Sequence, residues 1–414
     1  MITNKPNVFT FYLFCISILT IPINISFING IRLSDIFFIT SFLLLIFVNQ
    51  RVDYKILFIF SAFFGILLIS TYTTLLFSSH INIARFAFFY KYSLIFLIPF
   101  VVINLTTNKS RLKKLLLRLY FVFIILTGWV YLYFILRYSG VIQGNPRVSF
   151  PFSNYNKPDA HVYSSYLVFF VIAYHEYIRK VLQHGTIRSS IVSILSVIAL
   201  FMTGSKTGVL IFIIYIIIMI FFLMFRFKRS HLKIVVSSIF IAIIMYNFYI
   251  FGFSQYLSDE MQHDTSTLFK RATQYQASDI SISVRYNNFF VAMDEIEKYY
   301  FLIGKGPIGA SSKWYDGGMS IILAHGGLLG ISSLLLYIFL ILIKTKKITF
   351  SVETKRLYKT FVLLLFIYIL LNLITEHFLL TRNLLPAATM LSIIYANIKI
   401  NLLEYSATKY KYNL

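Results

Sequence analysis

Runs of about twenty consecutive apolar residues recur along the whole chain, and no other feature restricts its fold as strongly. A helix crosses the roughly 30 Å hydrocarbon core of a bilayer with about 20 such residues, and lipid obliges backbone hydrogen bonds to close within the segment. Twelve stretches meet that rule: 8–27, 34–49, 54–77, 83–104, 115–137, 161–178, 187–203, 206–225, 233–253, 317–343, 357–374 and 384–400. The connections are short except at 138–160 and 254–316. The expected fold is all-α: a single polytopic transmembrane domain over 1–414, with about 12 transmembrane helices, a first outer loop at 138–160 and one large outer loop at 254–316. The first run lacks a small-residue cleavage site and is too long for the core of a signal peptide, so it is expected to stay as the first helix.

Charge raises the one question for which composition is needed. The net charge of +23, from 38 Lys and Arg against 15 Asp and Glu, would suggest nucleic acid in a soluble chain. This chain is 58% hydrophobic and 18% aromatic, above the roughly 45–50% apolar content of soluble domains. With the N-terminus placed inside, 23 of the 38 cations fall in the stretches that then face the cytoplasm. That asymmetry is the ordinary positive-inside bias. The basic balance is therefore mostly topology, both termini are expected to be cytoplasmic, and no nucleic acid is expected as a partner. Cys15 is the only cysteine, so no intramolecular disulfide can form.

Function is then expected in the two outer loops. Loop 254–316 mixes Lys270, Arg271, Arg285, Lys298, Lys305 and Lys313 with Asp259, Glu260, Asp264, Asp279, Asp294, Glu295 and Glu297, and is nearly neutral. Its part 284–303 spaces Phe289, Phe290, Met293 and Ile296 among Asn, Asp and Glu as a helix on the membrane surface would. "GKGPIG" (304–309) satisfies G-x-G-x-x-G in letters only, since no strand precedes it and Pro307 interrupts it. A tight turn returning the surface helix to the membrane is expected instead. "GSKTG" (204–208) lacks the first glycine of a phosphate-binding loop, so no nucleotide cofactor is expected. The outer side also lacks D-x-D or His/acid spacing for a metal.

Against the inside bias stand five outer cations: Arg85, Arg147, Lys206, Arg285 and Arg382. Each alone is accounted for equally well by snorkelling or by pairing with an acid. Together they suggest an anionic substrate at the outer leaflet, because guanidinium grips phosphate oxygens in a two-pronged fashion. Tyr155, Tyr163, Trp314 and Tyr315 suit sugar stacking, although interfacial anchoring is the commoner use of such aromatics.

The arrangement resembles the superfamily of bacterial O-antigen polymerases and O-antigen ligases. "GSKTG" is similar to its short S-R/K-x-G turn, and "SVRYNNFFVAMDEIEKYYFLIGKGPIG" (283–309) to its Arg-led surface helix ending in G-x-G. "DGGMSIILAHGGLLG" (316–330) is similar to the entry of the next helix, and more weakly "RVSFPFSNYNKPDAHVYSSYL" (147–167) to an Arg-then-Asn segment. The ligases usually carry His-Asn where this chain has Asp316 and Gly317, a departure that favours the polymerase.

The resemblance implies a glycosyltransferase of the bacterial inner membrane, without cofactor or metal. It would move the growing glycan from one undecaprenyl-diphosphate carrier onto the repeat unit of another at the periplasmic face. Lipid A core ligation and flipping of lipid-linked oligosaccharide are the alternatives, and Lys91 is the clear mid-helix charge that a flippase would use. The implied partners are the lipid-linked glycan, inner-membrane lipid, a chain-length regulator and a flippase. Arg147, Lys206 and Arg285 would hold the diphosphate, with Arg85 beside them. Asp316 would orient or deprotonate the attacking hydroxyl, unless it merely caps the tenth helix. His161 and the group Glu376, His377 and Arg382 are further candidates, a Glu376–Arg382 ion pair being the structural account of the last.

Overall fold

The computed structural model describes residues 5–23, 26–28, 31–48, 55–77, 87–142, 148, 150–151, 160–225, 287, 290–294, 301–309, 318–347, 351–374 and 381–412. Its helices are α1 (Lys5–Leu19), α2 (Leu33–Val48), α3 (Lys55–Phe77), α4 (Ala87–Leu105), α5 (Lys109–Tyr138), α6 (Ala160–Ala173), α7 (Thr186–Met202), α8 (Lys206–Phe225), α9 (Gly318–Lys347), α10 (Val352–Ile374) and α11 (Thr381–Tyr412). α6 runs on through a wide π-turn, Tyr174–Ile178, into Arg179–Val181. Among the described residues, Lys109–Tyr138 and Ser320–Ile343 are long and apolar enough to cross a membrane. Six further apolar helices there are shorter. The expected span 233–253 lies outside the described residues.

Two expectations change. The first run does not make one helix over 8–27: α1 stops at Leu19, and Ser26–Ile28 pairs antiparallel with Ile31–Arg32 as a small hairpin. Pro22 supplies the reason, since it offers no N–H and disfavours helical geometry at the residue before it. The fifth helix begins at Lys109, so the cations Lys109 to Arg118 ride on its first turns and not on a loop. Asn108 caps it, its side chain accepting from the Arg111 N–H at 2.9 Å. Lys91, expected in the middle of its helix, lies on α4, whose first described residue is Ala87.

Hydrogen bonds at both ends fix which helices run side by side. Tyr215 on α8 donates to Glu176 beyond α6 at 2.7 Å, while Gly208 on α8 packs on Ser164 of α6. These two helices are therefore parallel. Asn397 of α11 donates to the Tyr177 hydroxyl at 2.9 Å, and Lys109 pairs with Glu404 at 2.5 Å. That ion pair is half exposed on both sides and contributes at most about 1 kcal/mol, but it places the end of α4 beside the far end of α11. The end defined by these contacts also holds Arg188, whose guanidinium lies 5.5 Å over the Tyr120 ring, and Arg179, which reaches Ser189 at 3.4 Å. At the other end α6 and α8 meet through Ser164 and Gly208, while Ser70 of α3 lies 3.0 Å from the His325 carbonyl of α9. Two apolar cores fill the interior. The larger joins α1, α2, α4 to α8, α10 and α11, and the smaller joins α3, α4, α9 and Ala292.

Candidate functional site

The turn from α7 to α8 carries the short motif around Lys206. Gly204 takes φ +63°, a left-handed conformation that closes a helix, and its N–H bonds to the Phe201 carbonyl at 3.0 Å. Thr203 and Ser205 are buried, and Lys206 opens α8. Two residues on, Gly208 lies so close to α6 that a Cβ there would stand 1.7 Å from Ser164 Oγ and 3.1 Å from Leu200 Cδ1. The glycine is required for that approach, and the approach is what sets Lys206 beside the first turn of α6, where His161 sits.

The segment leading into α6 is fixed against the same turn. Val148 and Phe150 are fully buried, and the Phe150 ring meets Tyr163 at 4.8 Å and Tyr166 at 6.5 Å. The Tyr163 hydroxyl donates to the Leu126 carbonyl of α5. Arg147 immediately precedes this anchored stretch. Ser164 Oγ, Ser165 Oγ and the Tyr166 hydroxyl are buried and find no hydrogen-bond partner among the described residues. The first described turns of two parallel helices thus lie side by side, and the positive end of a helix dipole suits an anion. The Tyr177–Asn397 bond joins α11 to the far end of the α6 segment, and Arg382 is the second described residue of α11.

A Gly208→Ala variant is expected to lose about 1–3 kcal/mol by overpacking. Adding Ser164→Ala, which removes the atom 1.7 Å away, should restore part of the loss of membrane abundance. Equal abundance of wild type and Gly208→Ala would rule this contact out.

A second construction holds the large loop. α9 is broken at Gly327, where φ is +59° and ψ −158°. The break releases the carbonyls of Ala324 and His325 and the N–H groups of Leu328 and Leu329 from their own helix. Each finds a partner outside it. Lys305 N–H donates to Ala324 O at 2.8 Å, Leu328 N–H to Phe301 O at 3.1 Å, and Leu329 N–H to Leu302 O at 2.9 Å. The Ser70 hydroxyl of α3 lies 3.0 Å from His325 O and 2.9 Å from Gly304 O. Thr74 donates to Lys305 O at 2.6 Å, and the Tyr92 hydroxyl meets His325 Nδ1 at 2.8 Å. The expected tight turn is therefore present, with Gly304 at φ +68° and Gly306 at φ +71°.

Of the candidate residues, Arg85, Arg147, Arg285, Asp316, Glu376 and His377 lie outside the described residues. For His161, Lys206 and Arg382 the helices place the backbone. Asp316 precedes the first helical residue of α9, Gly318, by two positions, and Arg285 precedes the helical Asn287 by two. Sequence reasoning passed over Asp35 and Arg32, buried and half-buried at the start of α2, where Asp35 accepts from the Arg32 N–H at 3.0 Å. A carboxylate in a first helical turn was the available signal. It also passed over the Tyr92–His325 pair, because a histidine among glycines in an apolar run carries no sequence sign of its partner.

Residues 191–323 match a family model described as O-antigen ligase. The matched stretch takes in Lys206, Arg285 and Asp316 and ends two residues short of His325. Comparison with curated proteins found no match.

Proposed function

We propose that this chain is a metal-independent glycosyltransferase of the bacterial inner membrane that polymerises undecaprenyl-diphosphate-linked repeat units into O-antigen at the periplasmic face. The observation that supports the reading is the close approach of the first described turns of α6 and α8 at Ser164 and Gly208, beside buried serine hydroxyls, with Lys206 opening α8 and Arg147 preceding the buried Val148 in sequence. Such a place suits a diphosphate, whose departure develops the negative charge that fixed donors stabilise. Lys206, Arg147 and Arg285 are assigned to hold it, with Arg85 in support. Asp316 is assigned to orient the attacking hydroxyl or take its proton, and His161, Glu376, His377 and Arg382 are assigned to substrate binding. The energy comes from the activated anomeric phosphate, so the reaction as proposed calls on neither nucleotide nor metal. Loops 138–160 and 254–316 face the periplasm and both termini the cytoplasm in this reading, and a chain-length regulator and a flippase are its expected partners.

Similarity to a model described as O-antigen ligase fits either polymerase or ligase chemistry and gives no support to a flippase. Ligation onto lipid A core is the second reading, favoured by that description. Asp316–Gly317, in place of the His-Asn usual in ligases, favours the first. The lipopolysaccharide banding of a deletion strain separates them. Core bearing a single repeat is expected. Core without any repeat, with long chains retained on the carrier, would mean a ligase.

Charge outweighs shape at the three cations. Arg285→Ala, Lys206→Ala and Arg147→Ala are each expected to leave almost only single-repeat product at normal membrane abundance, and Arg285→Lys to keep part of the activity because it retains charge but loses the planar fork. Full-length polymer from Arg285→Ala would remove that residue from the site.

A further inference from the structure

The stretch 284–303, expected as a helix on the membrane surface, is described at Asn287 and at 290–294. Its buried residue there is Ala292, fully enclosed in the smaller core, with Val291 and Met293 packed at the edge of that core. Phe290 is turned outward, 46% exposed, between the exposed Asn287 and Asp294. The spacings of three and four residues put all three on one helix face. With Val291 they line a wide-open depression of about 430 Å³ on the surface.

The chemistry of this strip is uncommon for a membrane anchor. A carboxylate and a carboxamide flank the ring, and neither belongs on a face meant for lipid. Such a trio matches a sugar ring. The negative face of an aromatic ring attracts the polarised C–H edge of a pyranose. A carboxylate accepts from sugar hydroxyls, while a carboxamide both donates and accepts.

The geometry points to Phe290, Asn287 and Asp294 as a binding subsite for a pyranose of the acceptor glycan, with Phe290 as the platform under the ring and the two polar side chains on its hydroxyls. The assignment rests on the polymerase reading, because it makes the strip the place where the incoming repeat unit is held. Ala292 and the glycine junction at 304–327 fix the strip to α3, α4 and α9, so the glycan would meet a rigid surface.

The test uses the full-length protein in phospholipid nanodiscs with lipid-linked single repeats extracted from cells deleted for this chain. Phe290→Ala and Asp294→Asn are each expected to raise the acceptor KM roughly tenfold with kcat unchanged, the signature of binding lost equally from ground and transition states. Phe290→Tyr, which keeps the platform, should stay within about twofold of wild type. A second readout needs no turnover. In Phe290→Trp, the repeat-unit oligosaccharide freed of lipid by mild acid should shift tryptophan emission beyond any change in the wild type, and Asp294→Asn should abolish the shift. If wild type elongates the units but Phe290→Ala and Asp294→Asn keep its KM, the subsite is wrong and the polymerase reading stands. If wild type does not elongate them, the polymerase reading falls. The emission shift then decides separately: its presence keeps the strip as a glycan site, and its absence removes it.

Discussion

Gly327→Ala is expected to remove most of the folded protein from the membrane, while Gly326→Ala next to it should be nearly silent. At Gly327 the backbone sits at φ +59° and ψ −158°, a conformation open essentially to glycine alone. Forcing another residue into it costs about 1–3 kcal/mol. An added Cβ would stand 2.5 Å from the Gly304 nitrogen and 2.6 Å from the Leu302 carbonyl carbon and oxygen. All of these are backbone atoms, so no rotamer change relieves the clash. The alternative is for the loop to withdraw, which gives up the bonds from Lys305, Leu328 and Leu329 and exposes the Ser70 contacts. Buried backbone groups left without partners cost about 1–3 kcal/mol each. The sum approaches the whole stability of an ordinary domain, about 5–15 kcal/mol. At Gly326 the nearest atom to a new Cβ is Leu67 Cδ2 at 3.5 Å, an ordinary contact. Membrane abundance and thermal midpoint in detergent, measured on both variants, check the contrast. Indistinguishable values for Gly327→Ala and wild type would mean that the helix break does not hold the loop.

The helices were legible in the sequence because lipid leaves a chain few choices, and apolar runs such as those of α5 and α9 announce themselves. The hairpin of Ser26–Ile28 with Ile31–Arg32 was hidden where such a run ends, since Ile, Ser and Phe serve a strand as well as a helix and only Pro22 marks the change. The break in α9 was hidden for another reason. Gly326 and Gly327 are tolerable inside a helix, and what makes one of them indispensable is the backbone of a segment more than twenty residues earlier. The turn at 304–309 was readable as a turn, but its partner was not. Among the site residues, sequence order alone separates His161 from Lys206 by 45 positions, and only the Gly208–Ser164 approach brings their helices together. Helical spacing shows that Phe290, Asn287 and Asp294 share a face without showing which face the core takes; the burial of Ala292 decides that.

The sharpest expected result on chemistry concerns Asp316, where one substitution separates two roles. As a helix cap it would accept hydrogen bonds from the first turn of α9, which begins at Gly318. Asn and Ser cap nearly as well as Asp, and even Ala costs only about 0.5–2 kcal/mol. A carboxylate that takes a proton from the attacking hydroxyl has no such substitute, because a carboxamide is too weakly basic to do so, and positioned general bases contribute about 10²–10⁴-fold to rate. Asp316→Asn is therefore expected to reach normal membrane abundance, to bind lipid-linked repeat units as wild type does, and to leave single-repeat product. Polymer of wild-type length and amount from both Asp316→Asn and Asp316→Ser would make the residue a cap and move the base to His161 or to Glu376 and His377. Abundance measured in the same membranes keeps the two outcomes apart, since a failed cap lowers protein and product together whereas a lost base lowers product alone.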